Sequence, residues 1–155
     1  MPLPISVTMD QQSEIGPSPF EEVVLVSDPA EARRFQEELE QFLLLSSHAS
    51  TKEIFSIKLA LEEALINAIK HGNQMDRDKK VRVLYRVMAG FFEVRVTDEG
   101  VGFDPGDVPD PTAVENLERP CGRGLMLMRH YMNEVCYSSS GNCVAMSKVL
   151  CNSKK

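Results

Sequence analysis

Phe91-Phe92-Glu93-Val94-Arg95-Val96-Thr97-Asp98-Glu99-Gly100-Val101-Gly102-Phe103 begins as a β-rich run, reaches an acid and then turns through two glycines. Its β-branched and aromatic residues predict a strand over 91–97. A carboxylate that ends an apolar strand is placed to accept a hydrogen bond from an exocyclic amine such as that of adenine. Gly100 and Gly102 allow backbone torsions and a close approach that larger residues obstruct. A turn-forming Asp-Glu-Gly is the plain structural alternative for residues 98–100. It accounts neither for Gly102 nor for a second glycine pair downstream, Gly122-Arg123-Gly124-Leu125, which opens a helical pattern. Amide donors at a helix entrance favour an anion such as a phosphate.

Outward from this stretch, Val81 to Val87 is a second β-rich run, joined to the first through Met88-Ala89-Gly90, so the two read as antiparallel strands. Thr51 to His71 predicts a helix in which Ile54, Ile57, Leu61, Ala64, Leu65, Ala68 and Ile69 form a broad apolar stripe, stopped by Gly72-Asn73. Val23 to Val26 is a short strand, and Ser27-Asp28-Pro29 signals the start of a helix reaching about Leu45 with Phe35, Leu39, Phe42 and Leu43 facing the core. Residues 104–120, with Pro105, Pro109, Pro111 and Pro120, form a long loop of the kind that serves as a functional lid or is disordered. Gly124 to Met132 carries helical spacing in Leu125, Met128 and Met132, and residues 134–137 and 144–150 form a final hairpin turning at Gly141-Asn142. The order predicts an α+β protein, a two-layer α/β sandwich with a mostly antiparallel sheet and helices on one face.

The 155 residues, 43% of them hydrophobic, suffice for the core of one domain, expected over 21–155, behind a flexible Pro-containing leader over 1–20. A net charge of -6 without a dense Lys/Arg cluster argues against a nucleic-acid surface. No window approaches the roughly 20 apolar residues that cross a bilayer, so no membrane partner and a cytoplasmic location are expected. Cys121, Cys136, Cys143 and Cys151 lack Cys-x-x-Cys spacing and read as reduced thiols, although Cys136 and Cys143 flank the last turn and could face each other.

Glu63 and Asn67 lie four positions apart and project from one helical face. An amide oxygen there can coordinate magnesium, and a carboxylate one turn earlier can orient or deprotonate a nucleophile that attacks a terminal phosphate. Taken alone, the pair reads more simply as the polar edge of an amphipathic helix. Glu62 follows Lys58 at helical spacing and suggests an exposed ion pair, while Lys70 reads either as a phosphate contact or as compensation of the helix dipole.

Together Glu63…Asn67-Ala68-Ile69-Lys70-His71-Gly72, Asp98-Glu99-Gly100-Val101-Gly102-Phe103 and Gly122-Arg123-Gly124-Leu125 resemble the N, G1 and G2 boxes of the GHKL ATPase superfamily, and most of all the bacterial anti-sigma-factor serine kinases. The resemblance covers about residues 21–151. It implies a histidine-kinase-like ATPase fold binding ATP and magnesium, with Asn67 holding the metal, Glu63 as the catalytic base and Asp98 recognising adenine. It further implies that Gly100, Gly102, Lys70 and Leu125 contribute to the nucleotide pocket. Gly122, Arg123 and Gly124 close a lid onto phosphate, and Arg119 is similar in placement to a phosphate-contacting arginine of the family. The implied activity is phosphorylation of a serine on an anti-sigma-factor antagonist, with sequestration of a sigma factor by a protein that is often a homodimer. A non-catalytic nucleotide-dependent binding switch and the ATP domain of a split histidine kinase are the alternatives, although the helical phosphoacceptor hairpin of the latter is missing from the sequence.

Overall fold

A computed structural model describes residues 19–88, 90–100 and 120–150. Their order is β1 (Glu21–Val26), α1 (Pro29–Ser46), α2 (Thr51–Ile66), a π-helical turn (Asn67–Gly72), β2 (Lys80–Met88), β3 (Phe91–Thr97), α3 (Pro120–Tyr131), β4 (Glu134–Tyr137) and β5 (Cys143–Val149). The strands form one sheet in the order β1-β2-β3-β5-β4. Every neighbouring pair is antiparallel, with Val83 opposite Val96 and Val94 opposite Met146 in its centre. The α+β architecture is the one the element order predicts. Most of the expected leader, residues 1–18, and the expected lid up to residue 119 lie outside the described residues.

Alternation along the strands makes the two faces of the sheet different. Val81, Val83, Phe92, Val94, Val96, Val144 and Met146 are buried and share one core with Phe35, Leu39 and Leu43 of α1, Ile57, Leu61 and Leu65 of α2, and Met128 and Met132 of α3. Phe42 is only partly buried and packs edge-on against Tyr85 at 5.0 Å between ring centroids. The other face carries charge, with Arg86 paired to Glu93 at 2.9 Å and Arg82 to Glu22 at 3.2 Å. No helix among the described residues is long and apolar enough to cross a membrane.

Local chemistry sets the helix starts. Asp28 caps α1 by accepting the Ala30 N–H at 2.9 Å, and Pro29 occupies the first helical position where its missing N–H costs nothing. Ser50 and Glu53 form a reciprocal capping box at the head of α2. The helix expected from residue 124 begins earlier, at Pro120, because proline favours an N-terminal helical position; the second glycine pair therefore lies inside the first turns of α3.

Two further expectations change, while Cys136 and Cys143 are free thiols as expected. Lys58 bonds Glu40 of α1 at 2.6 Å and not Glu62, because α1 brings a carboxylate closer than the next turn of α2 does. Cys136 faces Ala145 and Cys143 faces Thr97, so the register separates the two thiols. The helix expected to run evenly to His71 widens into a π turn at Asn67, and Gly72 does not end it by entering the left-handed region. That conformation falls to Gln74 and Met75, at φ 55° and 62°, while the Asn73 and Met75 N–H groups satisfy the Ala68 and Ile69 carbonyls at 2.8 Å each. Wide π turns are uncommon and frequently mark functional sites.

Candidate functional site

The described residues of the three sequence boxes come together where the π turn, the end of β3 and the start of α3 meet. Asn67 follows α2 directly, with right-handed φ and ψ of -61° and -42°, so Glu63 and Asn67 keep the common face that their spacing predicts. Gly124 of α3 lies against both. A Cβ built on it would stand 2.8 Å from Asn67 Nδ2 and 3.2 Å from Glu63 Oε1, closer than side-chain atoms ordinarily approach. A side chain at position 124 would push the Asn67 and Glu63 head groups aside, so glycine lets α3 lie directly against the acid and amide.

Asp98 forms the other half of the cluster. Its carboxyl group occupies the space beside Gly72, where a Cβ would collide with it, even the farther oxygen Oδ1 lying only 2.7 Å away. Gly72, which closes the first of the three boxes and reads locally as a helix stop, is therefore held to glycine by the Asp98 carboxyl group. Gly100 approaches Gly72 in turn, and a Cβ on it would overlap the Gly72 carbonyl group, with the carbonyl carbon at 2.6 Å. Close approach, and not an unusual torsion, explains the glycine at position 100.

The Asp98 carboxylate accepts the Gly100 N–H at 2.7 Å through Oδ1, leaving Oδ2 without a hydrogen-bond partner among the described residues. Burial pushes its pKa above the ordinary aspartate value, opposed by the Gly100 N–H and by the charge of Lys79. A half-buried acceptor of this kind fits an uncharged hydrogen-bond donor such as an aromatic amine. Its backbone is clamped by the β4–β5 turn: the Asp98 N–H donates to the Asn142 carbonyl at 2.9 Å, and Asn142 Nδ2 donates to the Asp98 carbonyl at 3.2 Å.

Asn67 Nδ2 is buried and has no hydrogen-bond partner among the described residues. A buried amide end left unpaired is costly in a folded protein. Since the two ends of an amide are assigned by their surroundings, this side chain suits an external ligand that completes its coordination. Glu63 and Asn67 carry oxygen atoms of the kind that could hold a magnesium ion beside a phosphate group. Lys70 is exposed on the π turn, and no ion pair among the described residues engages its ammonium group. Leu125 is buried, and Gly122 and Arg123 lie in the first turn of α3. Gly102 and Arg119 lie outside the described residues.

Sequence reasoning passes over Asn73 and Asn142 as parts of this site and gives Gly72 a place in the first box without its contact to Asp98. Gly72 and Asn73 read as a helix stop and Asn142 as a hairpin turn, and only their separation from Asp98 in the sequence hides their role. Asn73 and Glu99 are 26 residues apart and Asn142 and Asp98 are 44 apart, yet both pairs are hydrogen-bonded.

Comparison with known proteins identifies the family. The chain is 35% identical over 112 residues to the anti-sigma F factor of Geobacillus thermodenitrificans, covering 64% of this chain and 76% of that protein. It is 32% identical over 111 residues to the serine-protein kinase RsbW of Listeria monocytogenes, covering 65% of this chain and 69% of the other. A crystal structure of the RsbU and RsbW domains of Rv1364c from Mycobacterium tuberculosis shares the fold, with a TM-score of 0.59 at 18% identity over 86% of this chain; this chain spans 32% of that one. A profile of the histidine kinase-like ATPase domain matches residues 25–148, four-fifths of the sequence. With its acid, amide and glycines converging as they do, the chain belongs to the histidine kinase-like ATPase family.

Proposed function

We propose that this protein is an ATP-dependent protein serine kinase and anti-sigma factor, which phosphorylates an antagonist protein and sequesters a sigma factor. The observation that carries the reading is the convergence of Glu63, Asn67 and Gly124 on one face between α2 and α3. A module that only bound nucleotide would have less need of a carboxylate beside the amide. The names of its relatives, an anti-sigma F factor and a serine-protein kinase, support the same assignment.

In this reading Asp98 selects the base by accepting a hydrogen bond from its amine. Asn67 would hold magnesium through its amide oxygen, and the metal when bound would neutralise phosphate charge. Glu63 takes the proton of the acceptor serine hydroxyl as its oxygen forms the new bond to the γ-phosphorus. The bond from that phosphorus to the bridging oxygen breaks, and ADP leaves with the electron pair. Gly124 permits α3 to close on the acid and amide. The kinase acts in the cytoplasm, as a homodimer, on protein partners.

Glu63→Gln tests the assignment, since it keeps the size of the side chain and removes its basicity. Phosphotransfer from labelled ATP to the serine of an antagonist should fall by about a hundredfold or more, while calorimetric ATP affinity changes little. Transfer at the wild-type rate would remove Glu63 from catalysis. Acid-stable phosphoserine in the product, as against acid-labile phosphohistidine, identifies the acceptor class.

A further inference from the structure

Asn73 has no exposed surface. Its Nδ2 donates to Ser27 Oγ at 2.9 Å and to the Lys80 carbonyl at 3.0 Å, and its Oδ1 accepts the Glu99 N–H at 2.8 Å. The Lys80 carbonyl only accepts and the Glu99 amide only donates, so these partners fix which end of the Asn73 amide is which. Ser27 Oγ continues the network to the Lys79 carbonyl at 2.6 Å, and the Lys80 N–H returns to Glu99 Oε2 at 2.8 Å. One buried side chain thus ties the residue after the π turn to the end of β1, the start of β2 and the residue after Asp98.

The bond to Glu99 has a particular consequence. The Asp98–Glu99 peptide unit is held at both ends, its carbonyl by Asn142 Nδ2 and its N–H by Asn73 Oδ1. A planar peptide pinned at both ends has no freedom to rotate about its flanking bonds, so the backbone from which the Asp98 carboxyl group projects is set before any ligand arrives. Asn73 itself has no route to a ligand, because it is completely buried and each of its bonds goes to protein.

We propose that Asn73 is a positioning residue that presets the Asp98 carboxylate for the amine of the base and thereby determines base selectivity. This rests on the reading of Asp98 as the base-recognising group. It extends that reading to a residue whose effect passes entirely through the Asp98–Glu99 peptide.

The test compares ATP with ITP, which has no exocyclic amine, by calorimetric titration of the full chain. The wild-type protein should favour ATP by about tenfold or more, the scale of one hydrogen bond to a charged group. Asn73→Ala should bring that preference close to one. Ser27→Ala, which removes a bond of the same network on the side away from Glu99, should lower stability and keep the preference, so selectivity separates positioning from mere structural support. A folded Asn73→Ala protein that retains wild-type selectivity overturns the proposal, as does an equal loss in Ser27→Ala. Hydrogen exchange of the Glu99 amide in the wild-type chain without nucleotide supplies a measurement that does not depend on folding of the variant. Strong protection is expected, and exchange at the rate of an unstructured chain would show that the peptide is not preset and would also overturn the proposal. A wild-type chain that binds ITP as well as ATP would instead refute the role of Asp98, and this inference with it.

Discussion

Replacing Gly72 by alanine places one methyl group where the Asp98 carboxyl group now lies. The farther carboxylate oxygen would be 2.7 Å from the new carbon and must retreat by about 0.7 Å to reach an ordinary contact of 3.4 Å, the rest of the group by more. A displacement of that size carries a well-formed hydrogen bond of about 2.9 Å beyond its useful range. Losing a bond to a charged group costs about 1.5–3 kcal/mol, so ATP affinity should fall about 10- to 100-fold. Stability should change far less, because Gly72 has no left-handed φ and alanine is the better helical residue by about 0.5–1 kcal/mol. Gly100→Ala provides the contrast. Its Cβ meets backbone, the Gly72 carbonyl group, which cannot swing aside as a carboxyl group can, and both stability and binding should suffer. Calorimetric titration with ATP and urea unfolding of the two variants measure the separation. Wild-type ATP affinity in a folded Gly72→Ala protein would refute the reasoning, since the methyl group and a correctly placed carboxylate cannot occupy the same space.

Asn67→Ala removes the amide oxygen proposed to hold magnesium, on a side chain whose Nδ2 is buried without a partner among the described residues, and the magnesium-dependent part of nucleotide binding should disappear. Titration with magnesium and with a chelator measures that part, and an intact dependence would exclude Asn67 as a ligand. A further prediction concerns pH. Burial raises the Asp98 pKa in the folded chain above the ordinary 3.8, so its contribution to stability is fully present below that value and is lost as pH rises through the raised one. Asp98→Asn, neutral at every pH, should therefore gain stability relative to wild type at neutral pH in the absence of nucleotide and lose this advantage towards pH 3.8. Urea unfolding across that range would show a constant difference if ionisation of Asp98 were irrelevant.

How far the sequence alone reaches can be judged from particular residues. The apolar stripe from Ile54 to Ile69 and the alternation of Phe92, Val94 and Val96 encode which faces turn inward, and each of these residues is buried. Ser27-Asp28-Pro29 announces the first helix start, while the Ser50–Glu53 capping box of the second is seen in the structure. The i,i+4 relation of Glu63 and Asn67 survives because the helix widens only beyond it. The Lys58–Glu62 pair does not form, since a surface ion pair contributes little and yields readily to a partner brought in by another helix.

Local rules follow from periodicity, caps and backbone sterics, which act over a turn or two of chain, and the sequence by itself therefore determines the elements, their inward faces and the residue types of the site. What surrounds Asp98 was decided only in three dimensions. Gly72 is a glycine because a carboxyl group 26 residues later packs on it, and Gly124 because α3 meets Glu63 and Asn67. Asn73 and Asn142 look like turn residues until folding delivers the two ends of one peptide to them. Close approach and buried hydrogen bonding depend on distances between remote segments, and these exist only once the hydrophobic core has fixed the helices against the sheet.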